Sequence, residues 1–313
     1  MATLRMAAAW ALLLFFFAAP AFAEDADGGA NNVDTKSAQA ADDGADAAQG
    51  DEVTVTCPNC GKRVTIGRHG QEGQVMKCLY CGKEIECPKE EGGVCFGADM
   101  AFMGKYVSRG VTLTDGPVFE PYVWASYKGI TASVWANMDL TDRSRQRGEF
   151  TEFDFTLSYS TNFGKLGLSA GTIYYDFISI KDTAEVYGGL SYDMFLSPRL
   201  VVYYDFWQAD GFYGCFSLSH SFGLPEVVKG VTSSLDLSAQ VGWGSKNYNS
   251  FNWGEEHSTF TDMVYTASIP VVLSEHFTVK PSVCYSTVLD RTIRTKNSHN
   301  DNVIWGVTLS ASY

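Results

Sequence analysis

Two pairs of cysteines are the residues in this sequence whose type and spacing point most directly to chemistry. Cys57 and Cys60 form one C-x-x-C pair, Cys78 and Cys81 form another, and 17 residues separate the pairs. Two thiolates at this spacing can bend onto one ion, and the glycine after each pair permits the tight turn. Four thiolates complete the tetrahedral shell of a structural Zn²⁺ and leave no open position for a substrate. The pattern predicts a zinc ribbon with a structural or partner-binding role.

The residues around these cysteines suit a small β-rich module that spans residues 51–91. β-forming residues precede and follow the first pair, at 53–55 and 62–66. A domain of about 40 residues has too small a core to fold without a metal or a disulfide. Two disulfides are the alternative to zinc, because an exported chain meets an oxidising compartment. Cys87 and Cys95 could close a small disulfide loop or remain free thiols, and Cys215 and Cys284, in predicted strands, receive no functional assignment.

The N-terminal residues 1–23 have the composition of a secretory signal peptide. Arg5 supplies the positive charge, an apolar core runs over 6–19, and the Ala-Phe-Ala at 21–23 has the form of a cleavage site. An uncleaved anchor is the alternative. The following stretch, 24–50, is rich in Ala, Asp and Gly and holds few large apolar side chains. It is therefore expected to be a disordered acidic linker.

Composition and charge argue against several classes of protein. The net charge is −13, so no basic surface for nucleic acid is indicated. Aromatic residues reach 14%, and the 30 glycines suit a β-rich fold. The mean hydropathy is −0.08, and no later segment has the run of about 18 apolar residues that a membrane-spanning helix needs. A membrane barrel remains compatible with these values, because its strands alternate apolar and polar residues.

From Gly97 onwards, apolar and polar residues alternate with a period of two. The last segment, Asn302–Tyr313, is apolar at almost every second position, with Ile304 as the exception. Twelve such segments are predicted, and lengths of about 10–14 residues suit tilted strands across an apolar band of about 25 Å. The fold class predicted for residues 95–313 is all-β, a transmembrane antiparallel β-barrel of about twelve strands. An edge strand of a soluble sandwich is the alternative for the last segment.

The connections between these segments alternate in predicted length. Long ones such as Val107–Gly116 and Gly244–Ser258 follow odd-numbered strands, and short ones such as Gly129 follow even-numbered strands. Two of the eleven connections are exceptions, the short Gln208–Asp210 and the long Phe222–Gly230. Outer-membrane barrels have long outer loops and short periplasmic turns, so both barrel termini and the ribbon are predicted to lie in the periplasm. Tyr313 ends the closing strand, which is expected to pair with Gly97–Val107. This terminal aromatic is predicted to be a signal for the barrel-assembly machinery.

Several motifs in the first part of the predicted barrel carry a family resemblance. They are K-Y-V-S-R-G-V-T at 105–112, W-A-S at 124–126, V-W-A-N-M-D-L at 134–140, E-F-D at 152–154 and G-T-I-Y-Y at 171–175. In order and spacing they resemble the TorF-type porin family, also described as bacterial conserved proteins of the Gcw-chp type. The resemblance implies an outer-membrane barrel of the porin type, and it supplies no substrate and no catalytic residue. The ribbon and the linker depart from the family pattern.

The alternation also predicts which charged residues face the lumen of the barrel. Ten are acidic and three are basic: Asp99, Lys105, Glu120, Lys128, Asp139, Glu152, Asp154, Glu185, Asp193, Asp205, Asp236, Asp262 and Lys280. Rings of carboxylates favour cations, so a narrow water-filled pore with a mild cation preference is predicted. The alternative is an internal network of charges that plugs the lumen. The aromatic loop Gly244–Ser258 could fold into the pore as a constriction or rest on the membrane interface.

Three functions are compatible with these features. The first is a porin-like channel that lies in outer-membrane lipid and passes small hydrophilic solutes. The second is a non-conducting barrel that presents the ribbon to a periplasmic protein. The third is an outer-membrane hydrolase, which would need a histidine within hydrogen-bond reach of a Ser, Asp or Glu at one rim. No such pair follows from the sequence of the five histidines, so the chain is predicted to be a channel and not an enzyme.

Overall fold

The computed structural model describes residues 94–313, apart from 144–146, 227, 229 and 275, and the backbone of four short strands nearer the N-terminus. Several sequence predictions lie outside the described residues. These are the signal peptide 1–23, the linker 24–50 and the cysteines Cys57, Cys60, Cys78, Cys81 and Cys87.

The four short strands form two antiparallel hairpins. Strand β1 (Glu52–Thr56) pairs with β2 (Arg63–Gly67), and β3 (Val75–Lys77) pairs with β4 (Glu84–Glu86). In the sequence, one C-x-x-C pair falls in the connection of each hairpin.

Residues 95–312 form a closed antiparallel barrel of twelve strands, which confirms the predicted fold class. Two short strands after the first barrel strand form a separate hairpin. A two-residue strand follows the tenth barrel strand and continues its pairing with the strands on either side. In chain order the strands are β5 (Cys95–Met103), β6 (Tyr106–Ser108), β7 (Val111–Thr114), β8 (Val118–Tyr127), β9 (Ile130–Asp139), β10 (Phe150–Phe163), β11 (Leu166–Phe177), β12 (Thr183–Tyr192), β13 (Arg199–Asp205), β14 (Gly211–Gly223), β15 (Thr232–Gly244), β16 (Thr259–Ser268), β17 (Val271–Val272), β18 (Phe277–Val288) and β19 (Asp301–Ser312).

The barrel closes between its first and last strands. Strand β19 pairs with β5, with Ser312 opposite Gly97 and Gly306 opposite Met103. This is the pairing predicted for the closing strand. Strand β16 ends just before Pro270, which has no N–H to donate to the ladder, and β17 resumes the pairing with β15 and β18.

Side chains alternate between the lumen and the outer surface of the barrel. On β19, Val303 and Trp305 are 60% and 62% exposed, whereas Asn302 and Ile304 are 2% and 6% exposed. Ile304, the exception in the apolar alternation, faces the lumen because it lies two residues from Asn302. Each of the twelve strands exposes at least one large apolar side chain, as a lipid-facing surface requires.

The two ends of the barrel carry different connections. At the short-connection end, β8 and β9 join through Lys128 and Gly129, whose φ angles of 49° and 81° fit a type I′ turn. The opposite, long-loop end carries the β6–β7 hairpin and the helices α1 (Lys246–Trp253) and α2 (Arg291–Lys296). Among the described residues, no helix has the length and apolar character needed to cross a membrane.

The first long connection departs from the prediction that it extends outwards. The chain leaves the barrel wall after Gly104, whose N–H still donates to the carbonyl of Trp305 at 2.8 Å. It then turns into the barrel as a hairpin, Tyr106–Thr114, which we call the lumen hairpin. Ser108 and Arg109 in this hairpin are 0% and 4% exposed. Contacts with side chains on the far wall, described below, make the inward position the stable one.

Candidate functional site in the barrel lumen

The tip of the lumen hairpin is a tight turn that carries an arginine. Arg109 and Gly110 have φ angles of 44° and 85°, the combination of a type I′ turn. Asn, Asp or Gly usually occupies the first of these positions, because a positive φ is unfavourable for a long side chain. A side chain at Gly110 would meet the Cβ of Asp262 at 2.9 Å, so the turn also needs glycine to approach the wall. The arginine is therefore held in place by contacts beyond its own backbone.

Those contacts begin with a buried ion pair between Arg109 and Glu185 on β12. Nη1 and Nη2 of Arg109 each donate a hydrogen bond of 2.8 Å to a different carboxylate oxygen of Glu185. Tyr175 on β11 donates a further hydrogen bond of 3.0 Å to Oε2 of Glu185. Both charged side chains are only 1% exposed. Two parallel charge-assisted hydrogen bonds fix the orientation of the guanidinium as well as its position.

Three tyrosine rings surround the same guanidinium. Its Cζ lies 4.7 Å from the ring centroid of Tyr203, 4.4 Å from that of Tyr213 and 5.7 Å from that of Tyr248. Cation–π attraction operates over these distances and is stronger where water is excluded. The hydroxyl of Tyr213 also lies 3.2 Å from Oδ1 of Asp262, which brings a second carboxylate to the edge of the group.

Helix α1 delivers the third ring. The side chain of Ser245 caps the first turn, and Gly254 ends the helix in the left-handed conformation with a φ of 66°. Tyr248 is 2% exposed and packs its ring 5.3 Å from that of Tyr213. Gly211 on β14 permits this approach, because a Cβ there would collide with the backbone of Tyr248. Of the two alternatives for the loop Gly244–Ser258, the structure shows the one that folds inwards.

Three further hydrogen bonds hold the base of the lumen hairpin. The hydroxyl of Tyr106 donates to Oε2 of Glu152 on β10 at 2.9 Å. On the opposite side, Asn302 of β19 donates to Oγ1 of Thr112 at 3.0 Å and accepts from Nζ of Lys105 at 3.2 Å. The hairpin thus contacts β12 and β19, which lie on opposite sides of the barrel, and also β10, which only β11 separates from β12.

Lys105 also forms an ion pair with Asp115 beyond the hairpin. This hydrogen-bonded ammonium holds the pKa of the Asp115 carboxyl below its usual value.

Most charged residues predicted to face the lumen lie on lumen-facing positions, and they divide into two groups. At the long-loop end six are almost completely buried: Asp139, Glu152, Asp154, Glu185, Asp205 and Asp262. Their partners include Thr183, which donates to Asp205 at 2.8 Å, and Thr261, which donates to Asp262 at 2.6 Å. Four are partly exposed. Asp99, Asp236 and Lys280 lie nearer the short-connection end, whereas Glu120 lies near the start of β8 at the long-loop end. The buried group resembles the predicted internal network, and the second group leaves charge accessible inside the barrel.

Three of the predicted lumen residues lie outside the barrel strands. Lys105 is in the connection that leads into the lumen hairpin. Lys128 occupies the turn between β8 and β9, where its Nζ lies 5.1 Å from the ring centroid of Tyr127, so the prediction that it faces the lumen is wrong. Asp193 follows the end of β12 and is exposed. Lys128 and Asp193 each lie one residue past the end of a strand. The alternation of faces stops where the strand ends, so it does not predict the direction of these two side chains.

A histidine–carboxylate pair lies at the long-loop end, as the hydrolase alternative required. Nε2 of His257 is 3.2 Å from Oδ2 of Asp290, while Nδ1 is 3.7 Å from Glu255. Both ring nitrogens therefore face carboxylates, and within the described residues neither is hydrogen-bonded to a hydroxyl group. Asp290 caps α2 by accepting hydrogen bonds from the backbone of Thr292 and Ile293. Among the described residues, no group of three or more His, Cys, Asp or Glu is arranged to hold a metal ion.

Asp290 has a strongly perturbed pKa that fits this capping role. Partial burial alone would raise the pKa of its carboxyl. Hydrogen bonds from Thr292, the Ile293 amide, His257 and Thr259 outweigh that effect and hold the pKa well below its usual value. A structural role explains the pair without catalysis.

Arg109 is the main residue of this site that the sequence reasoning missed. Strand periodicity assigns faces only within strands, and Arg109 lies in a connection. An arginine followed by glycine at the tip of a short hairpin is an unusual choice for a type I′ turn, and this was the available signal. The aromatic partners Tyr175, Tyr203 and Tyr213 lie at lumen-facing positions that the alternation does define.

Comparisons with known proteins give structural matches of low sequence identity and low TM-score. No protein family and no curated protein matches the sequence. Among solved structures, the chain is similar to the KdgM porin (12% identity, 69% of this chain and 99% of that chain, TM-score 0.45). It is also similar to the NanC porin (12%, 70% and 98%, TM-score 0.41) and to an outer membrane channel from Pseudomonas putida F1 (8%, 71% and 96%, TM-score 0.38). At these values no residue role is transferred from them.

Proposed function

We propose that this protein is an outer-membrane, porin-like channel for small hydrophilic solutes. The observation that carries the proposal is the opposition of the two barrel faces. The outer face exposes apolar side chains on every strand, and the inner face carries ionisable ones. An interior of this polarity suits water and solutes, and an exterior of this kind suits lipid.

The lumen hairpin is the constriction in this proposal. It crosses the long-loop end and is attached on both sides, so a solute must pass beside it. Carboxylates outnumber amines at the predicted lumen positions: of the predicted residues that lie on barrel strands, nine are acidic and one, Lys280, is basic. Fixed negative charge in a narrow passage favours cations over anions. The expected selectivity is a mild preference for cations.

Planar-bilayer recording tests this function. Purified full-length protein should give discrete conductance steps above the empty bilayer, and a salt gradient should give a reversal potential of the sign for cation preference. A variant that replaces residues 106–114 with a short glycine linker should conduct more than the wild type. Anion selectivity would contradict the proposed preference, and silence in both proteins would reject the channel.

A non-conducting anchor is the second candidate, and the burial of the lumen hairpin favours it. Six predicted lumen charges lie almost fully buried at the long-loop end, which is the filled interior that an anchor would have. Conductance that appears only after removal of the hairpin would support this candidate over the open channel.

The N-terminal module is proposed to be a periplasmic zinc ribbon that presents a surface to a protein partner. Support comes from the two hairpins β1–β2 and β3–β4, each of which has a C-x-x-C pair in its connection by sequence. The proposed ligands are Cys57, Cys60, Cys78 and Cys81. Metal analysis should find about one Zn²⁺ per chain, lost on dialysis against a chelator and absent from a Cys57→Ser/Cys60→Ser variant. Protein without zinc, and with these thiols oxidised, would identify disulfides instead.

A further inference from the structure

We propose that the lumen contains a binding site for guanidinium cations and that Arg109 is the occupant supplied by the chain itself. The site consists of Tyr175, Glu185, Tyr203, Tyr213 and Tyr248, and we call it the guanidinium site. The guanidinium site lies on the solute path of the proposed channel, so any role of the site in solute selection rests on the proposed function.

The barrel wall and helix α1 build the guanidinium site without help from the lumen hairpin. Its residues lie on β11, β12, β13, β14 and α1. They also contact one another: Tyr175 donates to Glu185 at 3.0 Å, and the ring of Tyr213 lies 6.3 Å from that of Tyr203 and 5.3 Å from that of Tyr248. Replacement of the Arg109 side chain removes none of these contacts. We therefore expect the site to keep its arrangement when the Arg109 side chain is removed.

The geometry selects a planar, forked cation. Two oxygens of Glu185 each accept one hydrogen bond of 2.8 Å from Arg109, and an ammonium or a metal ion cannot reproduce this parallel pair. Tyrosine rings with centroids 4.4 Å and 4.7 Å from Cζ favour a flat, weakly hydrated cation that can lie against them. Solutes with a free guanidinium group are the chemical class that meets both requirements.

The backbone of Arg109 gives a free solute an opportunity to compete. The residue has a φ of 44°, in a region that residues other than glycine seldom adopt. A free guanidinium compound meets the same oxygens and rings without this backbone constraint. The attached side chain keeps the advantage of a high effective concentration, which for short tethers is on the order of millimolar. Competition in the wild-type protein therefore requires millimolar solute.

Chemical rescue of an Arg109→Ala variant tests the guanidinium site. The thermal unfolding of the full-length barrel in detergent is followed with methylguanidinium chloride or with N-methylurea, which has a similar shape and no charge, at constant total salt. Methylguanidinium should raise the unfolding temperature of the variant with a saturable, millimolar dependence, and N-methylurea should not. The shift should be absent from Arg109→Ala/Glu185→Gln and much smaller in the wild type, where the site is filled.

An equal shift in the double variant, or no saturable shift in Arg109→Ala, would overturn the proposal. If Arg109→Ala fails to assemble, its refolding yield is measured instead. A yield restored by methylguanidinium and not by N-methylurea supports the site, and a yield that neither compound changes rejects it. Bilayer recordings distinguish failure of the channel proposal from failure of the guanidinium site. Thermal rescue of a protein that gives no conductance would reject the channel function only. Conductance without thermal rescue would reject the guanidinium site only.

Discussion

The hydroxyl of Tyr106 donates a hydrogen bond of 2.9 Å to the carboxylate of Glu152, and this bond joins the lumen hairpin to β10. The ring of Tyr106 packs 5.3 Å from that of Trp135 on the neighbouring strand. The residue is 3% exposed, so the hydroxyl and the carboxylate meet away from water. The first strand of the hairpin is thereby fixed at the near wall, before its turn reaches Arg109.

Removal of this hydroxyl should loosen the hairpin at its base. Tyr106→Phe keeps the ring and deprives a buried carboxylate of one donor, which costs about 1–3 kcal/mol. We expect a lower unfolding midpoint in denaturant and more frequent fluctuations of single-channel current. Tyr174→Phe is the matched control. The Tyr174 hydroxyl donates a hydrogen bond of 2.7 Å to Asp182, and neither residue belongs to the lumen hairpin. A midpoint unchanged in Tyr106→Phe would show that this bond does not hold the hairpin.

Substitution of two glycines with similar φ angles allows the cost of backbone strain to be measured apart from the cost of steric contact. Gly110 and Gly148 have φ angles of 85° and 84°, but only Gly110 has the wall close by, at Asp262. Alanine in the left-handed region costs about 1–2 kcal/mol at either position. Gly110→Ala should cost a further ~1–3 kcal/mol from overpacking. Equal losses in the free energy of unfolding would mean that the turn can move away from the wall.

The cap of helix α2 should depend on pH through Asp290. Its pKa in the folded protein lies below the unfolded value of about 3.9. The stabilisation is therefore complete above about pH 4 and is lost as the pH falls through the lower, folded value. Hydrogen exchange of the Thr292 and Ile293 amides should show this loss of protection in acid. Asp290→Asn keeps a capping side chain and should abolish the dependence; a titration that persists in this variant would assign it to another group.

Tyr313 should matter for assembly because it lies at the seam between β5 and β19. Tyr313 exchanges backbone hydrogen bonds with Phe96 at 2.9 and 3.0 Å, and its ring stacks 4.5 Å from that of His276. Tyr313→Asp places a charge on this apolar edge of the seam and should lower the amount of folded barrel in the outer membrane severalfold, as measured by heat-modifiable mobility. Tyr313→Phe should assemble normally. Equal assembly of the aspartate and phenylalanine variants would contradict the predicted role as an assembly signal.

Periodicity was sufficient for the barrel, because each strand between β5 and β19 repeats the same two-residue alternation and one face must be apolar. It also placed Glu185 and Asp262 on the inner face. It could not predict the position of Arg109, because Arg109 lies in a connection. The path of a connection depends on whether its contacts with the barrel wall are more favourable than exposure to water. The partnership of Arg109 with Glu185 joins residues 76 apart in sequence, and no local pattern records it.

The attachment of one hairpin to β10, β12 and β19 has a mechanical consequence. The lumen hairpin joins β12 to β19, which are six strands apart in a ring of twelve. A strut that spans the barrel in this way should oppose changes in the distance between these two sides. We expect the cross-section at the long-loop end to depend on these attachments more than on the thickness or tension of a surrounding bilayer.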